Sequence, residues 1–230
     1  MLQAKKLCMR YDETIALKDL SFTVAPGEIF CLLGQNGAGK TTTINIFLGL
    51  IAPTSGEALI NNIPVANNSS ARDLIAYIPE IVQLYGNLSA LENLEFFSRL
   101  AGFVYSEQEL TNFLNRSNLQ EEAHSKKLAT YSKGMRQKVG IAIALAKNAA
   151  YILMDEPTSG LDPKASVEFA NTCKDLSANG VGIFMATHDI FNAVNIGSRI
   201  GIMKEGNLIH TTETAKITAQ ELQDLYIKTI

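Results

Sequence analysis

The chain has 230 residues, a net charge of −3, 47% hydrophobic residues and 19% charged ones. That length supports one large core, or a core with a small insert, and the even charge balance leaves no basic footprint for nucleic acid. The three cysteines, Cys8, Cys31 and Cys173, are far apart in the sequence and form no Cys-x-x-Cys pair, which points to a reducing, cytosolic setting rather than a disulfide framework.

Residues 2–24 read as antiparallel strands, with Leu20, Phe22 and Val24 alternating against Ser21, Thr23 and Ala25 and a polar turn at Asp12-Glu13. Tyr11 stands just before that turn. Its pattern fits a half-buried strand aromatic as well as a ring stacked on a base. The N-terminal M-L-Q-A-K-K-L lacks the apolar stretch of a signal peptide, and no segment approaches the roughly 18 apolar residues of a membrane span.

Ile29 to Leu33 is continuously apolar, the mark of a strand buried on both faces in a parallel sheet. Gly34-Gln35-Asn36-Gly37-Ala38-Gly39-Lys40-Thr41 follows and matches G-x-x-x-x-G-K-[ST]. Ile44, Phe47, Leu48 and Ile51 then recur at helical spacing, so a helix is expected from about Lys40. Glycines let successive N–H groups turn inward around phosphate oxygens, and the helix start adds its positive dipole end. Lys40 suits the β- and γ-phosphates, and the Thr41 hydroxyl suits a Mg²⁺ shell. These residues predict binding of a nucleoside triphosphate.

Pro53-Thr54-Ser55-Gly56 breaks the chain before a short strand at Glu57–Ile60 and a turn at Asn61-Asn62, and Arg72–Ile78 predicts another strand, closed by Pro79. Helical spacing takes over in the middle third, in Leu91, Leu94, Phe97 and Leu100 and again in Leu110, Phe113 and Leu114. A helical insert is expected over about 81–146. Tyr151 to Met154 returns to a buried strand and ends in Asp155-Glu156-Pro157. A carboxylate there, beside a phosphate loop, can hold Mg²⁺, and Glu156 is placed to take a proton from an attacking water. Ser159 to Pro163 predicts a turn opening a helix. Val181 to Thr187 predicts a strand ending at His188, on the same sheet edge as Asp155. His124 and His210 lack such a context and are read as structural. Ile200–Met203 and Leu208–His210 predict a hairpin, and Leu222, Leu225 and Tyr226 a packed amphipathic helix.

Taken together, these motifs and their order resemble the ATP-binding subunits of ABC transporters over nearly the whole chain. The resemblance implies a single domain over 1–230 of α/β, P-loop NTPase type, with a mainly parallel central sheet, an N-terminal antiparallel β-subdomain and the helical insert. Within it Tyr11 matches the adenine-stacking aromatic, Gly34 to Thr42 the Walker A loop, and Met154-Asp155-Glu156 the end of Walker B. Ser159-Gly160-Leu161-Asp162 matches the D-loop and His188 the switch histidine. Tyr131-Ser132-Lys133-Gly134-Met135-Arg136-Gln137 falls where L-S-G-G-Q usually lies, keeping Ser132 and Gly134. That form looks like a branch whose members mostly power bacterial export. Glu80 stands where most relatives carry Gln, near the metal and the water, with Gln83 close by.

What the resemblance implies is ATP hydrolysis with Mg²⁺ at Thr41, Asp155 and Glu80. Two ATP-binding subunits would close head to tail, Ser132 and Gly134 of one capping the γ-phosphate held by Lys40 of the other, with Asp162 of the D-loop also a nucleotide-site residue. Glu156 and His188 would serve hydrolysis. Polytopic membrane subunits would hold the protein at the inner face of the cell membrane, with no nucleic acid as partner. The alternative is a soluble ABC-type ATPase working in assembly or repair.

Overall fold

The structure, a computed structural model, describes residues 1–66 and 68–229. The predicted N-terminal hairpin pairs β1 (Leu2–Tyr11) with β2 (Thr14–Val24), turning at Asp12 with φ 46°. Ile29–Leu33 forms β3 and Lys40–Phe47 forms α1, so the helix stops before Ile51. Leu48 caps it, and the chain turns at Gly49 with φ 67°, which takes Ile51 off the helical face. Ser55–Ile60 (β4) and Ile63–Pro64 (β5) complete a four-stranded antiparallel sheet in the order β2-β1-β4-β5.

The expected strand over Arg72–Ile78 is a helix and a shorter strand. Arg72 and Asp73 lie in α2 (Ser69–Asp73), because the Asn68 side chain accepts the Ser70 N–H and starts a turn of helix. Only Ile75–Ile78 is extended, as β6.

Three helices fill the middle of the chain, α3 (Ala90–Leu100), α4 (Glu107–Arg116) and α5 (Lys133–Ala146). Leu94, Leu110, Leu114, Leu128 and Val139 pack there as an apolar cluster of their own. Tyr131 joins it, its hydroxyl donating to the Ala123 carbonyl. A capping box starts α3: Ser89 Oγ accepts the Glu92 N–H at 3.2 Å, and Glu92 Oε2 accepts the Ser89 N–H at 2.7 Å. Ser89→Ala is therefore expected to cost about 1 kcal/mol, a drop of roughly 2–4 °C in melting temperature. Thermal unfolding followed by circular dichroism checks this, and an unchanged midpoint would deny the box any net contribution.

The second sheet collects β3, β6, β7 (Tyr151–Asp155), β8 (Gly182–Thr187), β9 (Arg199–Lys204) and β10 (Asn207–Glu213). Its order is β10-β9-β3-β8-β7-β6, parallel throughout except for β10 at the edge. Both faces are buried, which explains the unbroken apolar runs. Phe30, Leu32, Leu153 and Phe184 point towards the antiparallel sheet, where Phe22 stacks between Phe30 and Phe184 at centroid distances of 5.2 and 5.1 Å. Their strand neighbours Cys31, Leu33, Ile152 and Met185 face the other side. That side is covered by α6 (Pro163–Ala178), α7 (Ile190–Ile196) and α8 (Ala219–Thr229), with Leu222 buried and Leu225 and Tyr226 packed beside it. Burial pushes the Cys31 thiol up to about 12 and raises Cys173 as well, so both act as apolar core groups. Among the described residues no helix is long and apolar enough to cross a membrane.

Candidate functional site

Parallel pairing brings the C-terminal ends of β3, β8, β7 and β6 to one edge of the sheet. Gly34, His188, Asp155-Glu156 and Pro79-Glu80 leave the sheet there, side by side, at the crevice where α/β sheets bind ligands. A cavity of about 350 Å³ opens at this edge. It is lined by Gln35, Asn36, Gly37, Gly39, Lys40, Thr41 and Thr42 and by Glu80, Asp155 and Glu156. Ala16 of β2 lines it from the other sheet. Nothing in the local sequence marks Ala16; only the approach of the two sheets brings it in.

The loop can take this path because of its glycines. Gly39 caps α1 at φ 107°, and a Cβ there would sit 2.6 Å from the Ala16 carbonyl oxygen. At Gly34 a Cβ would sit 2.7 Å from the Met203 carbonyl. Lys40 is buried, and its Nζ donates to the carbonyls of Gly34 at 2.6 Å and Gln35 at 3.2 Å. The ammonium thus lies inside the loop's own curl, 3.6 Å from Glu156 Oε1.

Glu156 follows β7 in a left-handed conformation, φ 46°, at a cost of roughly 1–3 kcal/mol for a residue of its type. Its Oε2 accepts from His188 Nδ1 at 2.9 Å and from the His188 backbone N–H at 3.3 Å. A carboxylate oxygen accepts here, so the contact puts a hydrogen on Nδ1. Oε1, by contrast, is buried without a hydrogen-bond partner. One carboxylate oxygen is thus oriented by histidine, and the other lies buried beside the Lys40 ammonium.

Asp155 Oδ2 accepts from Thr41 Oγ1 at 2.9 Å. Burial pushes this carboxyl above its ordinary value; the Thr41 hydrogen bond and the Lys40 charge pull it back, and Glu156 and Glu80 push it up again. Such a crowded, partly desolvated oxygen set suits a hard cation. Among the described residues no three His, Cys, Asp or Glu side chains form a chelating cluster of their own. One carboxylate and one hydroxyl fit a magnesium ion whose remaining ligands are phosphate oxygens and water.

Glu80 lines the cavity, whereas Gln83 is exposed and does not. Glu80 Oε1 accepts from Ser159 Oγ at 2.9 Å and lies 3.8 Å from Lys133 Nζ, neither of which the sequence pairs with it. Ser132, Gly134 and Asp162 gather elsewhere, around a second cavity of about 190 Å³. Both polar residues also cap helices there: Ser132 Oγ accepts the Met135 N–H and Asp162 Oδ1 the Ala165 N–H. Ala38, within the phosphate loop, is buried. Tyr11 is 43% exposed at the end of β1 and does not line the main cavity. His124 is buried with Nε2 3.1 Å from the Leu119 carbonyl, and His210 is exposed on β10.

Comparison with known proteins agrees with this geometry. The ABC transporter family model matches residues 17–159. The chain is 33% identical over 212 residues to the linearmycin resistance ATP-binding protein LnrL of Bacillus subtilis (strain 168), covering 91% of this chain and 68% of that protein. It is 33% identical over 236 residues to the lipopolysaccharide export system ATP-binding protein LptB of Escherichia coli (strain K12), covering 98% and 96%. A solved dimeric ATP-binding cassette in a post-hydrolysis state, bound to ADP and Pi, is 30% identical and matches with a TM-score of 0.82 over 93% of this chain and 99% of that one. The chain belongs to the ABC transporter family, as an ATP-binding subunit that hydrolyses ATP to energise transport.

Proposed function

We propose that this subunit drives export, working at the inner face of the cell membrane on separate polytopic subunits. The observation that carries the hydrolytic part is Glu156, whose Oε1 is buried without a hydrogen-bond partner, 3.6 Å from Lys40. In this reading Oε1 takes the proton of the attacking water, while His188 orients the carboxylate through Oε2 and steadies the γ-phosphate. Lys40 turns from the loop carbonyls to the β- and γ-phosphates, which backbone N–H groups of the glycine loop would cradle as well. Magnesium, held by Thr41 and Asp155 with Glu80 beside them, would supply positive charge to the phosphate oxygens. Tyr11 stacks on the adenine.

The separation of Ser132, Gly134 and Asp162 from Lys40 supports a head-to-tail pair, in which each copy completes the other's site. Residues 81–146 act as the helical insert that carries Ser132 and Gly134. Glu80, at the exit of β6, links the cavity to the membrane subunits. The export direction rests on the Y-S-K-G-M-R-Q form of residues 131–137 and on the lipopolysaccharide export for which LptB is named. Affinity purification of the tagged protein from detergent-solubilised membranes tests the proposal. A stoichiometric polytopic partner is expected; recovery of the subunit alone would favour the soluble ATPase.

A further inference from the structure

Two charged departures from the commoner family pattern, Glu80 and Lys133, face each other. They are 53 residues apart in sequence, yet Lys133 Nζ lies 3.8 Å from Glu80 Oε1, the oxygen that also accepts from Ser159. One turn further along α5, the buried Gln137 donates its Nε2 to the main-chain carbonyls of Pro79 and Glu80, at 3.3 Å each. Positions four apart lie on one face of a helix. That face of α5 therefore holds Glu80 twice, by its carboxylate and by its backbone. Lys133 also lies outside the lining of the second cavity, where its neighbours Ser132 and Gly134 sit.

We infer that Lys133 is a positioning residue for the nucleotide site of its own subunit, holding and neutralising the Glu80 carboxylate. The inference rests on the ATP-binding reading of the main cavity. That cavity sets the carboxylates of Asp155, Glu156 and Glu80 against one lining cation, Lys40. An unpaired Glu80 would present a further negative charge to an incoming triphosphate. It would also be free to swing away from the metal side of the site. With Lys133 in place, α5 and the Glu80 loop move together, so the helix that carries Ser132 and Gly134 reports directly on the cavity. The pair is partly exposed, 31% and 51% at the two side chains, so its effect is modest and screened by salt.

A double-mutant cycle tests this in the isolated subunit, at concentrations where light scattering shows a monomer, with a non-hydrolysable Mg-ATP analogue as ligand. Lys133→Met should weaken binding roughly three- to fivefold when Glu80 is present. In a Glu80→Gln background the same change should cost less than about twofold, the limit of ordinary additivity. Lys133→Arg should restore parental affinity, which separates lost charge from misfolding. Equal losses in both backgrounds, or no loss in either, would overturn the inference. So would a fall in turnover with monomer affinity unaltered, because Lys133 would then act across the dimer interface. A parent protein that binds no analogue would instead remove the ATP-binding reading beneath it.

Discussion

Glu156→Gln is expected to bind Mg-ATP as the parent does and to hydrolyse it about two to four orders of magnitude more slowly. The amide has nearly the shape of the carboxylate, so the left-handed turn at residue 156 and the contact with His188 can persist. What is lost is the proton-accepting carboxylate at Oε1, the oxygen without a hydrogen-bond partner beside Lys40. An amide oxygen in that position accepts a hydrogen bond but does not take the proton of an attacking water. A pair locked around uncleaved ATP should then accumulate, since reopening follows hydrolysis. Steady-state phosphate release gives the rate, and size-exclusion chromatography with light scattering, with and without Mg-ATP, gives the dimer. Parental turnover in the variant would move the general base to another residue.

How much of this site was legible depends on how local each feature is. The phosphate loop could be read directly, because strand, glycines, Lys40 and helix lie within one short segment and each residue type has its own mechanical reason. The same holds for β7 and β8, whose apolar runs end at Asp155 and His188 and whose parallel pairing brings those ends to one edge. Arg72 and Asp73 are helical although their pattern suggests a strand. The Asn68 cap outweighed their extended pattern, and such a cap acts through one hydrogen bond that periodicity does not register. Ala16 lines the cavity without any chemical mark, because its place there comes from one sheet crossing another. The contacts of Glu80 with Ser159 and Lys133 were equally hidden. Each partner could be singled out alone, but their meeting follows from the packing of α5 against the sheet edge. Ser132 and Asp162 show a third kind of limit. Their capping role is complete within one chain, so the structure accounts for both residues before any nucleotide is considered.

Lys40→Ala is expected to abolish most of the stabilisation that Mg-ATP gives the parent. A ligand at 100 times its dissociation constant stabilises a protein by about 2.7 kcal/mol, which in a chain of this size is a rise of roughly 5–10 °C in melting temperature. Lys40 carries the positive charge nearest the loop's turn, and its ammonium lies within reach of both loop carbonyls and Glu156. Moving that ammonium onto phosphate oxygens exchanges two neutral acceptors for charged ones, and charge-assisted hydrogen bonds are about twice as strong. The substitution also acts on the unliganded protein, because it empties a buried position and leaves Glu156 without its nearest cation. The informative quantity is therefore the shift on adding Mg-ATP to each variant, not the absolute melting temperature. Lys40→Met fills most of the volume without the charge and should lose the shift just as fully. Lys40→Ala and Lys40→Met with the parental shift would mean that the loop's backbone N–H groups hold the triphosphate unaided, and the role assigned to Lys40 would be wrong.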